Sequence, residues 1–230
     1  MIKFYDLVGA DHARPYSPHC WKVKMALAHK GLPYELVPTT FLGIREVEGG
    51  NATKTLPFIV DGDNKVTDSF QIALYLDAAY GDRPTLFDGE AGIALSRFIE
   101  RWALTTLHPF MVSAVVQDIW ARQDEENQAY FRESREKALG RKLEEIVADR
   151  DARRDAFLKT LEPLRQTLGY QDWIGGKEPL FADYIVFGAL QWPRIMSTFE
   201  TIPEGDPIHG WFERCLDLHE GLGRTIPAAA

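Results

Sequence analysis

Cysteine is scarce in this chain. Its 230 residues include two, Cys20 and Cys215, far apart and outside any metal-ligand spacing, which excludes a disulfide framework and suits a reducing compartment. The six histidines form no HExxH or other paired pattern, so no metal is expected. Positive charge is in deficit. Lysine and arginine number 26 against 34 aspartates and glutamates, a formal net charge of −8, so the general positive field that a nucleic-acid partner requires is missing. Long apolar runs are missing too. No stretch approaches the ~20 residues that cross a bilayer, and Asp6 interrupts the N-terminal "MIKFYDLVGADHAR" before it can act as a secretory leader. Repeats and low-complexity tracts are absent apart from three terminal alanines. What remains is a soluble, cytoplasmic, globular chain, long enough for one large domain or two small ones.

The two halves differ in texture. Residues 2–8 are β-rich. Residues 18–30 read as a helix with Cys20, Val23, Ala26 and Leu27 on one face, Lys22 and His29 away from it, and Gly31 as its stop. "YELVP" is a second strand, and "PFIVDGDNKVTD" a hairpin about Asp-Gly-Asp-Asn. A helix follows from Phe70 to Tyr80, and the irregular stretch 41–54 has room for a short one. Residues 1–80 are therefore expected as an α/β domain, 81–89 ("GDRPTLFDG") as a linker and 90–230 as an all-α domain. Within the latter, 90–118 is expected to bend at Pro109. Residues 125–150 are charged, with Glu133–Lys137 and Asp149–Arg153 pairs at i,i+4. "FADYIVFGALQW", apolar nearly all round, reads as a central buried helix, and a last helix spans about 207–219.

One short stretch carries chemistry. In "YSPHCWKVKMALAHKGLPYE" (16–35), Ser17 and Cys20 stand at the spacing of a redox cysteine pair, with the first thiol replaced by a hydroxyl. This stretch, with "TLPFIVDGDNKVTDSFQIALYLDAAYGDRPTLF" (55–87), resembles the thioredoxin-like domain of cytosolic glutathione transferases. "WIGGKEPLFADYIVFGAL" is similar to that family's helical-domain signature. The ending "WFERCLDLHEGLGR" resembles the subgroup of bacterial β-aryl etherases and related fungal transferases. The resemblance covers nearly the whole chain and implies glutathione as co-substrate, a hydrophobic, aromatic electrophile as second substrate, and a homodimer.

Glutathione is an extended anionic tripeptide with a thiol, and the resemblance assigns residues to each of its demands. Leu56-Pro57, with a cis bond, would leave the Leu56 amide free to bind the cysteinyl backbone like an added strand. Asp68 and Ser69, at the start of a helix, would take the γ-glutamyl group, and Lys54 the glycine carboxylate. Ser17, capping the helix at 18, would hold the thiolate. A thiol of pKa ~8.5 is about 3% ionised at pH 7; lowering it by ~2 units requires ~2.7 kcal/mol. One charge-assisted hydrogen bond of ~1.5–3 kcal/mol plus a helix end is of that size. Cys20 is the alternative catalytic residue, in a thiol oxidoreductase that forms and releases a mixed disulfide; Tyr5 and Tyr16 are further hydroxyls near the end of the first strand. A non-catalytic ligand carrier on the same fold is a third reading. Trp102, Phe110, Met111 and Trp192 are candidates for the hydrophobic substrate pocket. Asp183, the one charge in 180–190, is expected to be structural, accepting from backbone near Leu180, where the family's usual Ser or Thr is missing.

Overall fold

The computed structural model describes residues 1–50 and 52–230. The strand β1 (Ile2–Leu7) is flanked by β2 (Tyr34–Thr39) in parallel and β3 (Phe58–Asp61) antiparallel. β4 (Asn64–Thr67) completes a sheet of order β2-β1-β3-β4. The β3–β4 turn passes through Gly62 at φ 59°, where a glycine carries no steric cost. Pro38 lies on the edge strand β2, where its missing N–H removes no ladder bond. A short helix at 43–49 lies in the irregular stretch; position 51 of that stretch lies outside the described residues.

Two helices cover the sheet, α1 (Pro18–His29) and α2 (Ser69–Ala79). The expected one-sided burial of α1 is corrected here: α1 is enclosed on nearly all sides, and Lys22 is as buried as Val23. The cause is α9 (Phe181–Met196), which packs along the outer face of α1. A Cβ on Gly188 of α9 would meet the Pro18 carbonyl oxygen at 2.3 Å, so only glycine lets α9 support the first turn of α1 so closely. Enclosure forces each lysine of α1 to find a carboxylate. Lys24 meets Asp6 at 2.7 Å and Lys22 meets Glu100 at 3.8 Å, while Lys30, just past the helix end, meets Asp77 at 3.0 Å. Burial lowers the Lys22 pKa to about 8 against the pull of Glu100. His29, also expected to face away, donates to or accepts from Tyr184 Oη at 2.7 Å.

After residue 81 there are helices only: α3 (Glu90–Trp102), α4 (His108–Ala121), α5 (Glu125–Leu139), α6 (Leu143–Val147), α7 (Arg150–Thr160), α8 (Glu162–Tyr170), α9 and α10 (Pro207–Gly221). The bend expected at Pro109 is instead a widened π turn over 103–107 between α3 and α4, with Pro109 in the first turn of α4, where its missing N–H costs little. The charged run 125–150 is broken by Gly140 at φ 69°. Its i,i+4 ion pairs are Arg132–Glu136 (2.8 Å) and Asp149–Arg153 (2.8 Å); the Glu133–Lys137 pair does not form among the described residues. Helical backbone in α10 stops at 217, short of the expected 219, because His219 and Glu220 adopt positive φ.

Candidate active site

A cleft of about 740 Å³ opens between the sheet unit and the helices. One wall is the chain after β1 (Tyr16 to His19) together with Phe41, Arg45 and residues 53–56. The other is a face of α4 formed by His108, Val112, Val116 and Ile119, with Tyr130, Phe131 and Arg135 of α5 and Trp192 of α9.

Ser17 sits on the first wall, 4% exposed. The loop that delivers it is fixed by bonds from Tyr16 N–H to Leu7 O (3.2 Å) and Trp21 Nε1–H to Pro15 O (3.3 Å). Ser17 is the N-cap of α1, and its Oγ accepts the Cys20 N–H at 3.3 Å. That bond uses a lone pair and leaves the hydroxyl proton available to a ligand. Cys20 lies one turn deeper, fully buried and away from the cleft lining; burial and then the Asp6 carboxylate push its thiol well above the usual range. Tyr16 lines the cleft, but its hydroxyl takes a bond from Gln123 Nε2 (3.1 Å), and burial raises its pKa. Tyr5 is outside the cleft, bonded to Glu48 and pushed up to about 12 by burial and that carboxylate.

Lys54 and Leu56 line the same wall as Ser17, and the Leu56–Pro57 peptide is cis. Leu56 has no backbone hydrogen-bond partner among the described residues. Asp68 and Ser69 are not cleft-lining, but β4 carries them to its edge: Thr67 pairs with Phe58, next to Pro57, and its hydroxyl lies 3.2 Å from that of the cleft residue Thr53. The cap of α2 is Asp68, whose Oδ1 accepts from Phe70 and Gln71 N–H at 3.0 Å each; Ser69 is the first helical residue.

The hydrophobic wall differs from expectation. Trp192 lines the cleft, whereas Trp102, Phe110 and Met111 do not. Phe110 stacks on Phe157 with ring centres 4.0 Å apart, inside the helical core, and Met111 is fully buried there. At the back of the cleft, His108 stacks on His19 at 5.1 Å and tilts against Trp192 at 6.1 Å. His108 Nε2 and Trp192 Nε1 are buried without a partner among the described residues.

Residues 12–84 match the family model for the glutathione S-transferase N-terminal domain, and residues 94–215 match that for the C-terminal domain. The chain belongs to the glutathione S-transferase family. Glutathione transferase GSTFuA3 from Phanerochaete chrysosporium is 27% identical, covers 100% of this chain and 98% of its own, and superposes with a TM-score of 0.75. A glutathione S-transferase of Ceriporiopsis subvermispora, solved in complex with glutathione, has a TM-score of 0.82 over 99% of both chains at 24% identity and shares the fold. Glutathione S-transferase Z1 of Arabidopsis thaliana is 41% identical over 69 residues, 28% of this chain, and the match spans 31% of that protein's length. A glutathione S-transferase-like protein of Aspergillus flavus, ustS, is 25% identical over 83% of this chain and 79% of its own.

In this member of the family the cleft residues that sequence reasoning missed include His19, Arg45, His108, Val112, Val116, Ile119 and Arg135. Positions 108, 112, 116 and 119 recur at helical spacing, and that stripe was the available signal. No group of metal-ligating side chains occurs among the described residues, nor any helix long and apolar enough to cross a membrane.

Burial holds both cleft histidines neutral: His108 falls to about 4 and His19 well below its usual value, in each case with Lys22 adding repulsion. Burial likewise lowers His29, and lowers His219 to about 4. For a base whose folded pKa is depressed, the unfolded chain binds more protons below pH ~6.5, so stability falls as pH drops from there toward 4. Each such histidine contributes at most about 1.4 kcal/mol per pH unit inside that window. Denaturant midpoints measured from pH 7 to 4.5 should therefore decline, and His108→Gln should flatten the decline. A midpoint independent of pH would contradict the buried neutral state.

Proposed function

We propose that this chain transfers glutathione to a hydrophobic, aromatic electrophile, with Ser17 holding the attacking sulfur as thiolate. The observation that carries the reading is Ser17 itself: a cleft-facing hydroxyl at the positive end of α1, with a lone pair occupied by Cys20 N–H and its proton unassigned. Leu56 offers its free backbone to the cysteinyl amide beside the cis Pro57, and Ser69 at the start of α2 receives the γ-glutamyl carboxylate, with Asp68 near the ammonium. Lys54 takes the glycine carboxylate. The relative from Ceriporiopsis subvermispora, solved with glutathione, supports the choice of tripeptide.

The hydrophobic wall of α4, with Trp192, receives the electrophile, replacing the Trp102, Phe110 and Met111 set. Ether cleavage fits this arrangement. Sulfur attacks the carbon next to an aryl ketone, the C–S bond forms as the C–O bond breaks, and a phenolate leaves with the electron pair. The enzyme's share is positioning and anion stabilisation. In this reading residues 1–80 form the glutathione-binding domain, 81–89 the linker and 90–230 the helical domain of a cytoplasmic protein. Exposed Leu95 and Phe98 on α3 give a homodimer an apolar face.

The oxidoreductase reading loses ground because Cys20 is sealed from the cleft and its thiol is held protonated. Calorimetric titration with glutathione, followed by assays for chloride release from chlorodinitrobenzene and phenol release from a β-phenoxy aryl ketone, tests the proposal. Thioether should accumulate one for one with the leaving group. Binding without turnover of any electrophile would favour a carrier, and no binding of glutathione would refute the proposal outright.

A further inference from the structure

We infer that Arg135 is a carboxylate subsite for the second substrate, so that the electrophile this cleft takes is an aromatic acid. The inference rests on the transferase reading above and names the substrate class of that same site.

Arg135 lies on α5 and lines the cleft. The other arginine of this helix is spent on carboxylates: Arg132, three residues earlier, grips Glu136 at 2.8 Å and Glu144 at 2.7 Å. Arg135 has no carboxylate within ion-pair distance among the described residues, and its side chain's hydrogen bond goes to Ser134 Oγ at 3.1 Å. Aromatic rings position it instead, with Cζ 4.9 Å from the centre of Phe131 and 5.6 Å from that of Phe41. A guanidinium held near rings by cation–π attraction spends no N–H on them and keeps N–H groups for a planar acceptor. Its charge reaches the reactive end of the cleft: it pulls the Tyr16 phenol downward, against the larger upward effect of burial, and Tyr16 adjoins Ser17.

The charge count leaves Arg45 and Arg135 over. Glutathione brings two carboxylates and one ammonium. The γ-glutamyl carboxylate goes to the start of α2 and the glycine carboxylate to Lys54, with Arg45 on the same wall. Arg135 reaches in from α5 between Phe131 and Phe41, where the two walls meet, in a lining that also holds Val112 and Val116. A ring laid on those side chains with its carboxylate on the guanidinium fork satisfies both surfaces at once.

The test uses a chloronitrobenzoate and its methyl ester. In both, the glutathione sulfur bonds to the ring carbon as chloride departs with its electron pair, so no oxidant or reductant is needed. Each kcat/KM is divided by the uncatalysed rate constant to remove intrinsic reactivity. The wild-type protein should favour the acid, and Arg135→Gln should lower the acid-to-ester ratio by roughly 10- to 100-fold. Arg135→Lys should restore part of the ratio, and the glutathione KM should move less than the acid's. An unchanged ratio overturns the inference, as does an Arg135→Gln defect confined to the glutathione KM, which would assign Arg135 to the tripeptide. Equilibrium binding of the acid and ester to the glutathione-loaded protein, read by tryptophan fluorescence, separates the two layers. If neither compound is turned over, the transferase reading fails while the binding preference still decides on Arg135. Equal affinity of acid and ester then overturns the subsite, and an acid preference lost in Arg135→Gln sustains it.

Discussion

Ser17→Ala is expected to raise the pKa of the bound glutathione thiol by about 1–2 units, the equivalent of one lost charge-assisted hydrogen bond of ~1.5–3 kcal/mol. At neutral pH the thiolate fraction falls accordingly, and kcat/KM for conjugation drops by roughly 3- to 25-fold. The loss should be pH-dependent. Above the raised pKa the variant's sulfur is ionised without help, and its rate should approach that of the wild type. This separates thiolate stabilisation from capping. Removing Oγ also orphans the Cys20 N–H, and loss of an N-cap costs about 1 kcal/mol of stability. A cap-only role would lower the melting temperature and leave the pH profile in place. Ser17→Thr keeps both the acceptor and the proton and should retain most of the rate. The bound thiolate can be titrated directly by its ultraviolet absorption. An ionisation curve identical in wild type and Ser17→Ala would remove the basis of the proposal. Cys20→Ala should leave conjugation near the wild-type rate, because the thiol is buried away from the cleft.

The sequence made one wall of the cleft legible and left the other obscure. Ser17, Lys54 and Leu56 come from short contiguous motifs whose geometry is local: a cap, a cis proline and a strand start. Such features survive without knowledge of the rest of the chain. Phe110 and Met111 sit within four residues of His108 and Val112, yet point into the helical core. Their rotation about α4 is set by the π turn at 103–107, since one extra residue in a turn swings the rest of the helix by roughly a quarter of a revolution. Periodicity fixes which residues share a face, not which face meets the cleft. Lys22 shows the same limit. A lysine on a short helix is ordinarily solvated; here α9 covers it, and the distant Gly188 permits that approach. Arg135 was hidden inside a charge run that also holds partly solvated ion pairs such as Arg132 with Glu136 and Glu144. A place in the cleft lining together with the lack of a carboxylate partner among the described residues distinguishes it.

Asp183→Ala is expected to cost about 4 kcal/mol or more, because four donors, two buried and two partly buried, lose their acceptor together and each orphaned buried donor costs ~1–3 kcal/mol. Asp183 Oδ1 accepts from Ile174 N–H (2.7 Å) and Trp211 Nε1–H (3.0 Å), while Oδ2 accepts from Gly175 N–H (2.9 Å) and Leu180 N–H (3.1 Å). The expected contact near Leu180 is thus one of four, and the set ties the 173–180 turn and α10 to the first turn of α9. Leu180 has no acceptor side chain; its carbonyl instead takes the Asp183 N–H at 2.9 Å. Burial raises the Asp183 pKa, and the four donors oppose that rise. Asp183→Asn discriminates charge from geometry. Its amide oxygen can satisfy one pair of donors, but its NH2 then faces the other pair, donor against donor. It should therefore remain well below wild type. Either the Ile174 amide or those of Gly175 and Leu180 should lose protection in hydrogen exchange, depending on which way the new amide turns. Since domains of this kind are stable by only about 5–15 kcal/mol, Asp183→Ala should melt far below the wild type or fail to accumulate. An Asp183→Asn protein within about 1 kcal/mol of wild type would show that the carboxylate is not what holds α9, and with it the first turn of α1 and Ser17, in place.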